Sequence, residues 1–365
     1  MNILWFTLFA LLPLCAIIYV CWHVWVLLPL AAGWRAALVS CGVLSFLLLF
    51  LDVTGRLDSF PLPLARVLYD VGTSSLIVLL YAVLTFLLLD MGRICRLVPH
   101  SWLYSNGTVA AAVFLFLFGL LLYGNIHYRH KVRVPLTLTT QKPLPHDYKL
   151  LLASDLHLGY HNPRRELARW VDMMNAEQPD LILIAGDIID VSVRPLLEED
   201  MAAEFRRLTA PVYACLGNHE YYSGTPQAQQ FYRDAGIRLL SDTAAMIDSS
   251  LVIIGRDDRT NLRRKPVSEL VTNADLSKYT ILLDHQPYNL ERTEAAGIDF
   301  QLSGHTHRGQ VWPLSWVTDK IYECSWGYHQ RGQTRYYVSS GLGIWGGKFR
   351  IGTQSEYVVA TLKNE

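Results

Sequence analysis

The sequence predicts an all-α membrane domain followed by an α/β domain, and two observations carry that prediction. The first 128 of the 365 residues hold nine charged side chains, five Arg and four Asp, whereas the rest of the chain holds 55. Soluble domains average about 25% charged residues, so the N-terminal part is not an ordinary soluble domain. The later part alternates short apolar runs with helix-like stretches, a pattern that is typical of α/β folds.

Four apolar runs indicate the membrane domain, which is predicted over residues 1–128. A helix that spans a bilayer needs about 20 apolar residues, and the first run, 3–30, carries no formal charge. A secretory signal peptide is the alternative for this run, but it would have a basic start, and no Lys or Arg precedes Arg35. The four predicted transmembrane helices cover about 3–30, 36–53, 69–89 and 108–126.

Basic residues in the short loops predict the orientation of these helices, because Lys and Arg accumulate in cytoplasmic loops. With the N-terminus inside, five basic residues fall on the inner side and three on the outer side. The chain is thus expected to be a multi-pass protein of the cell (inner) membrane, with its C-terminal domain in the cytoplasm. A formal net charge of zero gives no reason to expect a nucleic-acid partner.

The C-terminal domain is predicted over residues 148–365, after a linker and first strand at 129–147. Five polar clusters in this domain each follow a β-type run. Ligands bind beyond the carboxyl ends of the strands in such sheets, so we expect the clusters to meet in one cleft. The candidate ligands are Asp155, His157, Asp187, Asn218, His285, His305 and His307.

These seven side chains offer only oxygen and imidazole donors, which suit Mn, Fe or Zn. Alternation along an extended strand end should place Asp155 and His157 on one side, and likewise His305 and His307. Taken singly, each cluster has an ordinary explanation as a turn or a packed histidine. Their ordered combination favours a metal centre.

The five clusters resemble the motifs of the calcineurin-like metallophosphoesterase family. In order they are Asp-x-His, Gly-Asp-x-x-Asp, Gly-Asn-His-Glu, a lone His and Gly-His-Thr-His, and the resemblance covers about residues 148–362. The segments 154–159 and 339–343 are similar to the YkuE/YaeI-like subgroup, which often has Gly where this chain has Arg308. The fold that the resemblance implies is a two-sheet β-sandwich flanked by helices.

The resemblance also implies a role for each candidate residue. One divalent ion would be held by Asp155, His157, Asp187 and His307, and a second by Asp187, Asn218, His285 and His305. Mn(II) is favoured, with Fe or Zn as alternatives. His219 is expected to protonate the leaving oxygen or to hold the phosphate. Asp190, Glu220, His161 and Arg308 are candidates for contacts with the ligands or with the substrate.

The sequence therefore predicts a membrane-anchored, binuclear metal-dependent phosphoesterase. Two ions about 3.5–4 Å apart lower the pKa of bridging water, so hydrolysis of a phosphate ester by a metal-bridging hydroxide is expected. Few residues separate the fourth helix from Asp155, and a cleft held near the bilayer favours a lipid-linked phosphate over a soluble phosphodiester. The expected partners are this phosphoester substrate and the lipid bilayer. The alternative is a catalytically silent scaffold or sensor with the same fold, against which the complete ligand set argues.

Overall fold

The chain forms two compact units. The computed structural model describes the backbone of residues 3–365 and the side chains of residues 11–365. One unit comprises residues 1–126 and 346–349, and the other comprises residues 127–345 and 350–365.

Apolar helices build the first unit. They are α1 (Ile3–Leu27), α2 (Ala32–Leu47), α3 (Leu49–Val53), α4 (Leu62–Ile94) and α5 (Gly107–Arg129), with 3₁₀ turns at Arg56–Ser59 and His100–Leu103. Among the described residues, three stretches are long and apolar enough to cross a membrane, namely Ala32–Val53, Leu62–Ile94 and Gly107–Arg129.

Helices α1 and α4 differ in extent from the transmembrane helices that the sequence predicts. The predicted helix 3–30 begins in a segment, 3–10, whose side chains lie outside the described residues. The described part of this helix is a shorter apolar stretch, Leu11–Leu27. Helix α4 extends beyond the run 69–89 at both ends. Hydrophobicity marks the part of a helix that lies in lipid, whereas the backbone hydrogen bonds of α4 continue into flanking segments that include Arg66, Asp90 and Arg93.

Two six-stranded mixed sheets form the centre of the second unit. Their strands are β1 (Lys131–Thr140), β2 (Tyr148–Ala153), β3 (Leu181–Ala185), β4 (Val212–Cys215), β5 (Arg238–Leu239), β6 (Thr243–Ile247), β7 (Leu251–Gly255), β8 (Tyr279–Leu283), β9 (Phe300–Ser303), β10 (Gly327–Arg331), β11 (Thr334–Val338) and β12 (Ser355–Asn364). The order is β1-β12-β2-β3-β4-β5 in the first sheet and β10-β11-β9-β8-β7-β6 in the second.

A shared apolar core holds the two sheets face to face. Leu150, Leu152 and Leu183 of the first sheet are fully buried with Ile281 and Leu302 of the second. Strands β2, β3 and β4 run parallel to one another, and so do β8 and β9. Their carboxyl ends therefore reach the same edge within each sheet.

Helices cover the outer face of the first sheet. The helices of this unit are α6 (Arg164–Ala176), α7 (Arg194–Glu198), α8 (Met201–Phe205), α9 (Asn218–Tyr222), α10 (Thr225–Asp234), α11 (Val267–Leu270), α12 (Leu290–Ala295) and α13 (Leu314–Ile321), with a 3₁₀ turn at His307–Gly309. Helix α6 buries Leu167, Trp170, Val171 and Met174, spaced as one helical face, against Ile182 and Ile184 of β3. The predicted two-sheet sandwich flanked by helices is confirmed.

Candidate metal centre

The candidate ligands stand where parallel strands of both sheets end. The first sheet supplies Asp155 and His157 after β2, Asp187 after β3 and Asn218 after β4. The second sheet supplies His285 after β8, and His305 and His307 after β9. Neither sheet alone carries the whole set, so the site is formed by the packing of one sheet on the other.

Asp155, His157 and His307 form a first group of donor atoms. His157 Nε2 lies 3.0 Å from His307 Nε2 and 3.8 Å from Asp155 Oδ1. His307 Nε2 lies 3.5 Å from the same carboxylate oxygen. Three ligand atoms that converge this closely, two of them basic nitrogens, can hold one ion.

Asn218, His285 and His305 form a second group. Asn218 Oδ1 lies 3.2 Å from His285 Nε2 and 2.8 Å from His305 Nδ1. Burial and the neighbouring His285 lower the pKa of His305 to about 4. The neutral imidazole is the form that binds a metal ion.

The carboxylate of Asp187 lies between the two groups. Its Oδ2 is 3.1 Å from His285 Nε2 and 3.8 Å from His157 Nε2. Its Oδ1 accepts a hydrogen bond of 2.9 Å from the backbone N–H of His219. One oxygen is thus fixed by the backbone, and the other faces both groups.

The backbone of these residues differs from the extended conformation that alternation predicts. Asp155, His157, Asp187, His305 and His307 all have positive φ, between 45° and 70°, in the left-handed region that side chains other than Gly, Asn, Asp and His rarely adopt. The expectation of an extended strand end at His305 and His307 is wrong. His305 points to the second group and His307 to the first, because the chain turns sharply between them.

Glycines allow this close packing at two positions. A Cβ atom at Gly217 would lie 2.1 Å from Asp187 Oδ1, and one at Gly304 would lie 2.2 Å from Asp155 Oδ2. Both distances are far inside van der Waals contact, so any larger residue would displace a candidate ligand.

Hydrogen bonds behind two histidines aim their Nε2 atoms into the groups. His285 Nδ1 lies 2.7 Å from the carbonyl oxygen of Ala185, and His157 Nδ1 lies 3.2 Å from Asp190 Oδ1. In both cases Nδ1–H is the donor, which leaves the Nε2 lone pair for an ion. Metal-binding histidines characteristically have such partners, so the residues present fit divalent ions.

Asp190 contacts three histidines from a fully buried position. Besides His157, its carboxylate lies 3.2 Å from His219 Nδ1 and 3.7 Å from His161 Nδ1. Burial opposes the ionised form of Asp190, but the hydrogen bonds with His157 and His219 lower its pKa well below the usual range. Burial also opposes protonation of His219, yet the charges of Asp187 and Asp190 raise its pKa to about 9.

Glu220 and His161 lie behind the ligands. The carboxylate of Glu220 is fully buried and accepts hydrogen bonds from the backbone N–H groups of Asp187, Ile189 and Gly217. His161 is buried as well, with Nε2 2.6 Å from the carbonyl oxygen of Ile344. Glu220 thus fixes the backbone at Asp187 and Gly217, and His161 lies against Asp190 and the backbone of Ile344.

Arg350 supports the first group, although it belongs to no motif in the sequence. Its guanidinium is fully buried and donates to the carbonyl oxygens of His307 and Ser340 and to Ser355 Oγ. It thereby holds the backbone of His307. The local sequence, Gly-Gly-Lys-Phe-Arg, has no periodicity that would have indicated this role.

Similarity to known proteins identifies the family of this chain. The family model described as calcineurin-like phosphoesterase matches residues 148–309. A metallophosphoesterase of Aquifex aeolicus is 34% identical over 63% of this chain and 90% of its own length. The chain belongs to the metallophosphoesterase family. The metallophosphoesterase YkuE of Bacillus subtilis is 29% identical over 66% of this chain and 90% of its own length.

Membership of the metallophosphoesterase family confirms the resemblance and identifies a metal-dependent phosphoesterase. A transmembrane protein with metallophosphoesterase domain from Danio rerio is 30% identical over 59% of this chain and 53% of its own length. The chain spans about 60% of the length of relatives from Campylobacter jejuni and Helicobacter pylori. The apolar helices of the first unit associate this metallophosphoesterase with a membrane.

Proposed function

We propose that the chain is a membrane-bound phosphoesterase that works with two divalent metal ions. The observation that carries the proposal is the position of Asp187 Oδ2 between two groups of converging donors. The first ion would be held by Asp155, His157, Asp187 and His307, and the second by Asp187, Asn218, His285 and His305. Mn(II) is favoured over Fe or Zn on the resemblance to the family, since oxygen and imidazole donors without thiolate suit all three metals.

Two bound ions would polarise the phosphate ester and supply a nucleophile at neutral pH. The side chains around the ions would position the substrate and transfer a proton to the leaving oxygen. The ring of His219 packs edge-on against that of His157, with centroids 4.5 Å apart, and its side chain is 12% exposed. His219 therefore reaches the cleft beside the first group, where it would donate its proton to the leaving oxygen while Asp190 holds the ring.

A lipid-linked phosphate is the substrate that the surface of the second unit favours. Helix α13, which begins five residues after Gly309, leaves Trp316, Val317 and Ile321 more than half exposed. Such a set of apolar and aromatic side chains suits the interface of a bilayer. In a membrane-associated enzyme, a lipid-linked ester is confined to the same surface, which raises its effective concentration.

Hydrolysis by the full-length chain in nanodiscs tests the metal-dependent reaction. With Mn(II) we expect turnover of bis-p-nitrophenyl phosphate, loss of turnover in EDTA, and about two ions per chain by elemental analysis. Asp187→Asn, purified in the same way, controls for contaminating phosphatases. Metal-free hydrolysis, or stoichiometric metal without hydrolysis, would contradict the proposal.

A second measurement addresses the substrate. We expect faster hydrolysis of a phospholipid phosphoester than of its water-soluble head-group analogue, and Trp316→Ala should slow the lipid reaction selectively. Leu262→Ala is the matched control, because Leu262 is 95% exposed but lies outside α13. Equal rates on both substrates, unchanged by Trp316→Ala, would restrict the proposal to soluble phosphodiesters.

The proposed orientation places the four helices as a multi-pass anchor of the cell membrane, with the second unit in the cytoplasm. It is supported by five basic residues in the inner segments against three in the outer loops. Paired reporter fusions at Glu365 test it: the reporter that is active only in the cytoplasm should be active, and activity of an export-dependent reporter instead would reverse the orientation.

A further inference from the structure

The ring of Tyr222 lies against the ring of His219, the residue that would protonate the leaving oxygen. The two ring centroids are 5.1 Å apart, at an interplanar angle of 61°. Tyr222 follows His219 by three positions on α9, a spacing that brings two side chains to the same side of a helix. An aromatic side chain thus stands directly beside the proposed proton donor.

Of the side chains that contact the ring of His219, Tyr222 is the exposed one. The ring of His157 and the carboxylate of Asp190 also contact the imidazole, and both of these residues are fully buried. Tyr222, in contrast, is 63% exposed. A substituent on the oxygen that receives the proton of His219 can therefore reach the ring of Tyr222 on its way out of the cleft.

The helix that carries Tyr222 is fixed by contacts of its other residues. The carboxylate of Glu220 accepts a hydrogen bond from the backbone N–H of Gly217, and Tyr221 Oη donates to Asp257 Oδ1 at 2.8 Å. Within the part of the chain that the structure describes, the hydroxyl of Tyr222 makes no hydrogen bond. The ring of Tyr222 is thus presented by a fixed helix, and replacing it removes none of the hydrogen bonds that hold α9.

Arg308, another candidate for a contact with the substrate, is held by different partners. Its guanidinium stacks on the ring of Trp326, with 4.1 Å from the guanidinium carbon to the ring centroid. Trp326 Nε1 in turn donates to both oxygens of Glu356, at 3.0 and 3.1 Å. Among the described residues, no ring contact or ion pair joins Arg308 to His219. The contact with the leaving group is therefore assigned to Tyr222.

An aromatic side chain at this position discriminates between leaving groups. Aromatic rings attract one another in offset or edge-to-face arrangements, beyond the contribution of the apolar area that they bury. A leaving alcohol with an aromatic ring can make such a contact with Tyr222. An open-chain alcohol gains only from the burial of apolar area. The side chain beside the proton donor therefore favours the alcohol that carries the ring.

We propose that Tyr222 is a specificity-determining residue, which contacts the leaving alcohol and favours an alcohol with an aromatic ring. This inference rests on the proposed function and deepens it. Hydrolysis breaks the P–O bond to the alcohol, whose oxygen leaves with the proton of His219. The hydroxyl of the attacking water stays on phosphorus, and a proton of that water restores His219.

Two esters with matched leaving groups test this inference on the full-length chain in nanodiscs with Mn(II). Methyl 4-chlorophenyl phosphate releases an aromatic alcohol, and methyl hexafluoroisopropyl phosphate releases an open-chain alcohol of similar acidity. The substituent that stays on phosphorus is methyl in both esters, so the measurement does not depend on a lipid. Tyr222→Ala should lower the ratio of aromatic to open-chain kcat/KM by about 2- to 10-fold, the usual contribution of an aromatic pair.

Further variants separate the ring contact from a general loss of structure. Tyr222→Phe should keep the ratio, since the ring remains, and Tyr222→Leu should lower it, because apolar area remains without the ring. Tyr328→Ala is the matched control, as Tyr328 is also an exposed tyrosine but lies on β10; its ratio should be unchanged. Metal content by elemental analysis should equal that of the unsubstituted chain in every variant, which shows that α9 still presents Asn218.

The outcomes distinguish this inference from the proposed function. If the unsubstituted chain hydrolyses neither ester, the proposed function fails. If it hydrolyses both esters and Tyr222→Ala leaves the ratio unchanged, the inference alone is wrong. A ratio that falls as far in Tyr222→Phe as in Tyr222→Ala would equally overturn it, because the hydroxyl and not the ring would then be responsible. Should Tyr222→Ala lose metal, the comparison of Tyr222→Leu with Tyr222→Phe decides in the same way.

Discussion

The two groups of candidate ligands differ in what orients their histidines. In the second group, His285 donates to a backbone carbonyl, that of Ala185 at the end of β3. In the first group, His157 donates to the carboxylate of Asp190, which also contacts His219. Both partners fix the ring and its tautomer, but the carboxylate adds a full negative charge.

This contrast shows two ways in which a ligating histidine is held in position. In the second group the backbone of the sheet orients His285, so no single side chain behind this histidine can be removed to weaken it. The first group depends on Asp190, a residue that would bind no ion. We therefore expect the two sites to respond differently to substitution, and the following experiments test that expectation.

The largest effect is expected from Asp187→Asn, since Asp187 Oδ2 faces both groups. Turnover should fall by about 10³-fold or more, corresponding to the several kcal/mol that metal ions contribute to catalysis. Bound metal, measured by elemental analysis, should decrease from two ions towards one or none. Two retained ions with normal turnover would show that Asp187 does not connect the groups.

His219→Gln should reduce turnover by about 10²- to 10⁴-fold, the usual contribution of general acid catalysis, with metal content unchanged. The loss should be smaller for nitrophenyl esters, whose leaving groups need little protonation. Rates on esters of graded leaving-group pKa provide the measurement. A loss that is equal for good and poor leaving groups would leave His219 only a role in holding phosphate.

Asp190→Asn should distinguish the groups most directly. Loss of a carboxylate behind a ligating histidine typically lowers metal affinity or activity by about 10- to 100-fold. Titration of the metal-free protein with Mn(II) should show one weakened and one unchanged site. Asp172→Asn is the control, as this carboxylate is 64% exposed on α6. Equal weakening of both sites would contradict the contrast.

Glu220→Gln is expected to have the smallest effect on the chemistry and to act on stability. The carboxylate of Glu220 accepts hydrogen bonds from three backbone N–H groups. The amide of a glutamine at this position has only one oxygen that can accept them. Leaving a buried donor unpaired lowers the free energy of unfolding by about 1–3 kcal/mol. Thermal unfolding of the metal-free protein in detergent measures this. An unchanged melting temperature would show that the bonds to Asp187 and Gly217 are dispensable.

The strands that carry the ligands were the most predictable part of the fold. Residues 181–185 read as an apolar run and form β3, because a parallel strand buried on both faces is apolar throughout. The pairing of β1 with β12, which joins Val134 to Val358, was not predictable, since no local pattern encodes a contact between such distant segments. Tertiary packing alone determines it.

Within the site, the motifs indicated which side chains meet but not how the backbone presents them. Asp155-x-His157 was expected to be extended, and both residues are left-handed. Alternation describes a strand, and these residues follow the end of β2 at Ala153, where the chain turns although their N–H groups still donate to the carbonyl oxygens of Gly186 and Asp187. The support from Arg350 was likewise hidden, because a buried arginine bonded to carbonyl oxygens leaves no trace in the spacing of the sequence.

The left-handed backbone has a consequence for how these positions tolerate change. At Asp155, Asp187 and His307 a replacement must offer a donor atom and also adopt positive φ, a combination largely limited to Asp, Asn and His. Asn218 lies in a helix, so a replacement there does not have to adopt positive φ. In a saturation library we therefore expect Glu and Gln to be excluded at the left-handed positions for conformational as well as chemical reasons, whereas residue 218 should accept a wider set. Selection for a new metal or substrate would then proceed through position 218 sooner than through the left-handed ligands.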